Sequence, residues 1–171
     1  MRTLSHDSKI TSESLTTVGR SGLALGVRKS TPKPDISSID ALKRALLAAK
    51  SISYSDPKRG AASGIQFVRI IERLGIAQEV NAKAQLRNPS LPRLDVEIAI
   101  TQPAEILAEA NLDLVGWLPD ELQDYEAFTW VAGITGNSKQ PEAAKALIQF
   151  LVSPTAAAAI KNTGMETSFR Q

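Results

Sequence analysis

The sequence predicts an α/β protein with a largely parallel sheet. Stretches in which every second residue is apolar alternate with stretches in which apolar residues recur every three or four positions. This succession of strand and helix patterns along most of the chain is typical of parallel sheets. The length of 171 residues and the hydrophobic share of 43% are sufficient for a buried core.

Composition argues against several classes of function. The formal charge of +2 is small and dispersed, so a nucleic-acid partner is not expected. The chain has no cysteine, and its one histidine, His6, lies in a polar stretch. We therefore expect no disulfide, no Ser-His-Asp triad, no metal site and no cofactor. No apolar run approaches the ~20 residues that span a bilayer, and residues 1–14 contain no hydrophobic core of an export signal.

The first half of the chain predicts a polar arm at residues 1–17 and then a strand at residues 23–27. Ser37 or Ser38 is expected to cap the following helix. The apolar stripe of that helix is predicted to consist of Ile39, Leu42, Leu46 and Ala49.

A second strand is predicted at residues 51–54, followed by a helix that begins near Ala62 and ends at Gly75. The buried face of this helix is predicted to consist of Ile65, Val68, Ile71 and Leu74. Residues 82–86 predict a further strand, which Asn88 and Pro89 end, and residues 90–94 predict a helical turn.

The remaining elements continue the alternation. Strands are predicted at 96–101, 112–116 and 128–136, and a short helix at 104–109. Pro141 opens a helix whose inward residues are predicted to be Ala144, Leu147, Ile148 and Leu151. Ser153 caps the last helix, residues 155–162, and Gly164 ends it.

Two turns stand where ligands bind in α/β sheets, at the carboxyl ends of strands. The first runs from Tyr54 to Ala62 and leads into a helix through small residues. A helix start presents backbone N–H groups and a positive dipole end, which together favour an anion. The second turn runs from Thr101 to Ala104. The sequence therefore predicts a binding cleft at this edge, the alternative being that both turns are ordinary connections.

An ordered series of segments resembles the periplasmic solute-binding proteins of ABC transporters, type II fold, in the molybdate-binding-like branch. The resemblance covers nearly everything after Val18. Its segments are RSGLALGVR (20–28), KPDI (33–36), DALKRALL (40–47), ISYSDP (52–57), GAASG (60–64), ERLGI (72–76), EIAITQ (97–102), LPDELQ (118–123), PEAAKALIQFL (141–151), LVSP (151–154) and GM (164–165).

The resemblance implies a three-layer αβα fold of two lobes joined by two crossing strands. It places the first crossing strand at 18–32, a complete ligand-binding second lobe at 33–124, and the return strand with the C-terminal helices at 125–171. Family members begin with an export signal and several strand-helix units of the first lobe. We therefore expect an N-terminally truncated chain whose first lobe is largely missing, with a homodimer formed through that lobe.

The resemblance also implies the ligand contacts. Backbone N–H groups of Gly60, Ala61, Ala62 and Ser63 reach the anion, and Thr101 with Gln102 forms the second contact. Ser55 and Ser63 add hydroxyl donors. Arg59, and less directly Lys58, can pair with an anion at the rim. Two prolines in the segment 88–94 and the two cations Lys58 and Arg59 depart from the family pattern.

Three functions follow from this reading. The first is a periplasmic solute-binding protein that recognises a small anion, molybdate-like or an organic carboxylate, and delivers it to ABC transporter membrane subunits. The second is a periplasmic tricarboxylate isomerase, aconitate isomerase-like, with Asp56 or Glu105 as base, Arg59 holding the substrate and Tyr54 as a further candidate. The third is a truncated chain without binding activity that oligomerises.

Overall fold

The computed structural model describes residues 9–87 and 96–167, which form two compact units. Unit 1 comprises Met1–Ser21 and Phe128–Gln171, and unit 2 comprises Gly22–Ala127. The strands are β1 (Thr16–Arg20), β2 (Ala24–Arg28), β3 (Ile52–Ser55), β4 (Ala84–Arg87), β5 (Ile98–Thr101), β6 (Leu112–Trp117) and β7 (Thr129–Ala132). The helices are α1 (Ile39–Ala48), α2 (Ala62–Arg73), α3 (Ala77–Asn81), α4 (Pro103–Leu107), α5 (Pro141–Leu151) and α6 (Pro154–Asn162). The turn predicted at 90–94 lies outside the described residues.

Unit 2 is built on a five-stranded sheet with the order β4-β3-β5-β2-β6. Strand β3 pairs in parallel with β4 and β5, whereas β2 pairs antiparallel with both β5 and β6. Four strands therefore run in one direction and β2 runs in the other. The predicted α/β class is confirmed, and the sheet is mixed, with one reversed strand.

Helix α1 forms as its sequence pattern predicts. The Ser38 side chain accepts a hydrogen bond from the backbone N–H of Ala41, which satisfies one of the unpaired donors at the helix start. Leu42 and Leu46 are fully buried, and Ala49 is buried just past the helix end. The periodic stripe thus faces the core of unit 2.

Helix α2 is rotated relative to its prediction. Phe67, Ile70 and Ile71 are its buried apolar residues, while Ile65, Val68 and Leu74 are only partly buried. The cause lies at the helix start, where a Cβ on Gly64 would lie 1.9 Å from the carbonyl oxygen of Ser55. This close approach presses the Gly64 side of the helix against β3 and brings the Phe67 ring to 5.0 Å from the Tyr54 ring, centroid to centroid.

In unit 1, residues 9–17 do not form the predicted arm. Ile10 is buried and pairs with Thr135, and the N–H of Thr11 donates to the carbonyl of Ile134. Strand β1 then pairs antiparallel with β7. Long-range backbone pairing overrides the polar composition of the segment. The segment 18–32, predicted as the first crossing strand, contains the end of β1 in unit 1 and all of β2 in unit 2.

Helix α5 is less buried than its pattern predicts. Its residues Ala144, Ile148 and Leu151 are partly buried, but Leu147 is 58% exposed. Phe150 and Val152 are exposed as well. Within the described residues, no single helix is long and apolar enough to cross a membrane, and α5 with α6 meets the requirement only as a pair bent by 62°. The predicted caps of α6 are confirmed, because Ser153 accepts from the N–H of Ala156 and Gly164 has a φ of 78°.

Replacing Gly64 by alanine should destabilise unit 2. Alanine adds about 1 kcal/mol of helix propensity, but a methyl group 1.9 Å from a backbone oxygen forces the helix away from β3, at a cost of about 2 kcal/mol or more beyond that gain. We expect the melting temperature to fall by about 4–8 °C in a calorimetric scan. Gly60→Ala is the matched control, because its Cβ meets open space and only its φ of 76° opposes the change. An unchanged melting temperature for Gly64→Ala would contradict the close approach.

Candidate functional site

The last residues of β3, β4 and β5 lie along one edge of the unit 2 sheet. Ser55 is paired with Arg87, and Thr101 with Ala24. Because Tyr54 pairs with Ile100 in the parallel register, Ser55 and Thr101 are the next residues side by side. The two turns predicted to share an edge of the sheet therefore do so.

The start of α2 brings two hydroxyl groups together at this edge. The Ser63 hydroxyl donates to the Ser55 hydroxyl at 3.2 Å, and Ser63 is buried. Ala61, whose methyl side chain cannot accept a hydrogen bond, stands at the N-cap position of α2. The first N–H groups of a 12-residue helix thus emerge beside small residues, which is the geometry that an anion requires.

The two predicted cations lie away from this close packing. Lys58 and Arg59 are exposed in a 3₁₀ turn, Pro57–Arg59, which Asp56 caps by accepting from the N–H of Lys58. Gly60 ends the turn with a φ of 76° and is exposed, as is Ala62. Arg59 is therefore placed to attract an anion at the rim, and Asp56 is engaged with the backbone of its own turn.

Thr101 is linked through Glu105 to a different cation, Arg87. Thr101 is 4% exposed, and its hydroxyl donates to Glu105 Oε2 at 2.7 Å. The same oxygen accepts from Arg87 Nη1 at 2.7 Å, and Arg87 Nη2 reaches Glu109 Oε1 at 3.1 Å. Gln102 contributes its backbone carbonyl, which accepts from the N–H groups of Glu105 and Ile106 and so starts α4.

The structure adds Arg87, which pairs with Glu105, and Gln123, which holds the backbone beside the site; the sequence singled out neither of them. Arg87 directly follows the strand predicted at 82–86, so the rule that ligands bind at strand ends would have found it. The Gln123 amide bonds both the N–H and the carbonyl of Leu23, and also the carbonyl of Leu118. A Cβ on Gly22 would lie 2.5 Å from Gln123 Oε1, so the glycine leaves room for the Gln123 side chain.

Tyr54 is unsuited to the role of a base. Its hydroxyl donates to Asn81 Oδ1 at 2.7 Å. Burial, and secondarily the charge of Asp56, raises the pKa of Tyr54 above 10.0, so the neutral phenol is favoured. Across the described residues, no three His, Asp or Glu side chains lie close enough together to hold a metal ion.

Sequence comparison assigns the family. The model of the bacterial extracellular solute-binding protein family matches residues 1–166. The chain belongs to this family. An aconitate isomerase from a Pseudomonas species is 34% identical over 165 residues, a match that covers 92% of this chain and 60% of that enzyme. The chain thus spans less than two thirds of the length of this curated relative.

Solved structures of two binding proteins share the type II fold. The substrate-binding domain described for a molybdenum ABC transporter of Clostridium difficile matches with a TM-score of 0.79 at 12% identity, covering 99% of this chain and 73% of that one. The periplasmic molybdate-binding protein of Azotobacter vinelandii matches with a TM-score of 0.67 at 18% identity, covering 99% and 74%. At these identities the match establishes the fold, which is the type II fold expected from the resemblance.

Replacing Tyr54 by phenylalanine should alter the alkaline stability of the protein. Because the pKa of Tyr54 is raised in the folded state, its contribution is fully present below pH 10 and is lost as the pH rises through the folded pKa. Tyr54→Phe should lower the free energy of unfolding at pH 7 by about 1 kcal/mol, through loss of the hydrogen bond to Asn81. It should also make the fall of that free energy above pH 10 less steep than in the wild type. Urea denaturation of the wild type and of the variant at several pH values measures both effects. If the free energy of unfolding fell equally steeply in Tyr54→Phe, the raised pKa of Tyr54 would not be a cause of the alkaline destabilisation.

Proposed function

We propose that this protein is the extracytoplasmic solute-binding protein of an ABC transporter and that it binds a small anion. The observation that carries the proposal is the convergence of the α2 start with the hydroxyl groups of Ser55, Ser63 and Thr101 at one sheet edge. Membership of a solute-binding family supports the same role. We place the protein in the periplasm, with ABC transporter membrane subunits as its partners.

The ligand contacts are distributed by chemical role. Backbone N–H groups at Ala61, Ala62 and Ser63 would face the anion, assisted by the positive end of the α2 dipole. The N–H of Gly60, the fourth predicted donor, is already used, since it donates to the carbonyl of Pro57 at 3.0 Å. The exposed Arg59, with Lys58, would raise the local concentration of anions without a fixed contact. Thr101 and Gln102 would form the second wall of the site, at the start of α4.

The proposed anion belongs to one of two chemical classes, oxyanions or organic carboxylates. Two matched structures are those of a molybdenum transporter domain and a molybdate-binding protein, whereas the 34% identical relative is an isomerase of aconitate. Both classes are compatible with backbone N–H donors, which recognise charge rather than shape.

An isomerase of a small tricarboxylate is the second candidate function. It is favoured by the identity to aconitate isomerase, and it requires a base that can abstract a proton from carbon. Both candidate carboxylates are already engaged, since Asp56 caps the 3₁₀ turn and Glu105 Oε2 accepts two hydrogen bonds. While these hydrogen bonds are in place, the arrangement favours binding over catalysis.

Calorimetric titration of the chain with molybdate, tungstate, sulfate, citrate and trans-aconitate tests the binding proposal. We expect one chemical class to bind, and Ser55→Ala to weaken that binding about 5–10-fold, because the Ser55 hydroxyl accepts from Ser63 and keeps its own proton for the ligand. Ser37→Ala, at an exposed serine of the same unit, should leave the affinity unchanged. Absence of heat with every ligand, from folded protein, would refute the proposal and support the third reading, a chain without binding activity.

A turnover assay distinguishes isomerase activity from binding alone. Incubation of the chain with trans-aconitate, followed by proton NMR, should show unchanged substrate if the protein only binds. Isomerised product that disappears in Glu105→Gln would overturn the binding proposal in favour of catalysis.

Self-association through unit 1 is a further expectation. Trp130, Leu147, Phe150 and Val152 are each exposed by 46% or more, and apolar side chains of this size favour association. We expect a homodimer by light scattering, with Leu147→Lys shifting it toward monomer. Leu107→Lys, at an exposed leucine of unit 2, is the matched control and should leave the dimer intact. A monomeric wild-type chain would contradict this expectation.

A further inference from the structure

The side-chain carboxylate of Glu105 lies between two hydrogen-bond donors at the carboxyl edge of the sheet. Glu105 Oε2 lies 2.7 Å from Thr101 Oγ1 and 2.7 Å from Arg87 Nη1. Thr101 is buried at the end of β5, whereas Arg87 ends β4, two strands away in the sheet order. Two donors from separate strands therefore converge on one carboxylate oxygen.

The Glu105 carboxylate is held loosely enough to be exchanged. Its side chain is 37% exposed and belongs to α4, a helix of only five residues. The Arg87 side chain is 36% exposed and keeps a second ion pair with Glu109, whose side chain is 17% exposed. Partly exposed ion pairs contribute little net stability, so replacing one carboxylate by another at Arg87 costs little.

We propose that Glu105 is an internal competitor for a carboxylate-binding subsite formed by Arg87 and Thr101, and that the ligand of this protein is an organic carboxylate. This inference rests on the proposed binding function and deepens it. A ligand carboxylate would take the place of Glu105 on the Arg87 guanidinium and on the Thr101 hydroxyl. The place is already shaped for a carboxylate, because Arg87 Nη1 and the Thr101 hydroxyl each donate one charge-assisted hydrogen bond to the Glu105 carboxylate and would do the same for the ligand.

The charge of Glu105 supports competition rather than simple attraction. The Arg87 guanidinium is shared by the carboxylates of Glu105 and Glu109. The Glu105 carboxylate opposes an approaching anion until Glu105 swings away. Glu105 therefore weakens ligand binding and favours ligands that bring more than one carboxylate, the others of which the α2 start would bind.

Titration of three variants with citrate, trans-aconitate and molybdate tests the inference. Glu105→Gln should tighten binding of at least one of the two carboxylates about 3–10-fold at low ionic strength, because one repulsive charge is removed. Arg87→Gln should weaken the same carboxylate at least about 10-fold. Glu121→Gln removes an exposed charge elsewhere in unit 2 and should change no affinity by more than about 2-fold.

A merely structural role for the cluster predicts a different pattern. If Arg87 and Glu105 only fasten β4 to α4, both substitutions should lower the melting temperature and weaken binding together. Weaker or unchanged carboxylate binding in Glu105→Gln would therefore overturn the inference. Wild-type protein that binds molybdate but neither carboxylate would also overturn it and leave the proposed function standing. Wild-type protein that binds none of the three ligands would refute the proposed function itself.

Discussion

The close approach of α2 to the end of β3 is the constraint on which the candidate site depends. Only a hydrogen atom fits between Gly64 and the carbonyl of Ser55, since a Cβ there would lie 1.9 Å from the oxygen. The approach fixes the rotation of α2, buries Phe67 against Tyr54 and brings the Ser63 hydroxyl to Ser55. The start of the helix, where we propose that an anion binds, is thereby held at the carboxyl edge of the sheet.

The hydrogen bonds at that edge bear on the two proposed functions, binding and catalysis. A binding protein needs donors fixed toward the ligand, a role that we propose for the α2 start and its neighbouring hydroxyl groups. An isomerase needs in addition a base near a substrate carbon. In the structure Glu105 Oε2 accepts from Arg87 and Thr101, and Asp56 accepts from the backbone of its own turn. The same engagement makes Glu105 a natural competitor for an anionic ligand.

The two units differ in how completely they bury apolar surface. Unit 2 contains a five-stranded sheet covered by helices whose large residues, such as Phe67 and Leu42, are fully buried. Unit 1 contains a two-stranded sheet, and Leu147 and Phe150 of its helix α5 remain more than half exposed. The candidate ligand contacts all lie in unit 2, the unit that is packed as an independent core.

The sequence by itself determined what depends on local chemistry and on family membership. It determined the α/β class through the alternation of strand and helix patterns along the chain, and it narrowed the cap of α1 to Ser37 or Ser38. The cap Ser153, the stop at Gly75 and the two strand-to-helix turns are each encoded within a few consecutive residues. Only the tertiary structure decided what depends on distant backbone. Residues 9–17 are held by pairing with the segment around β7, and the core face of α2 is set by the approach to Ser55. Arg87 meets Glu105 only because β4 and β5 lie on either side of β3, a proximity that no local pattern contains.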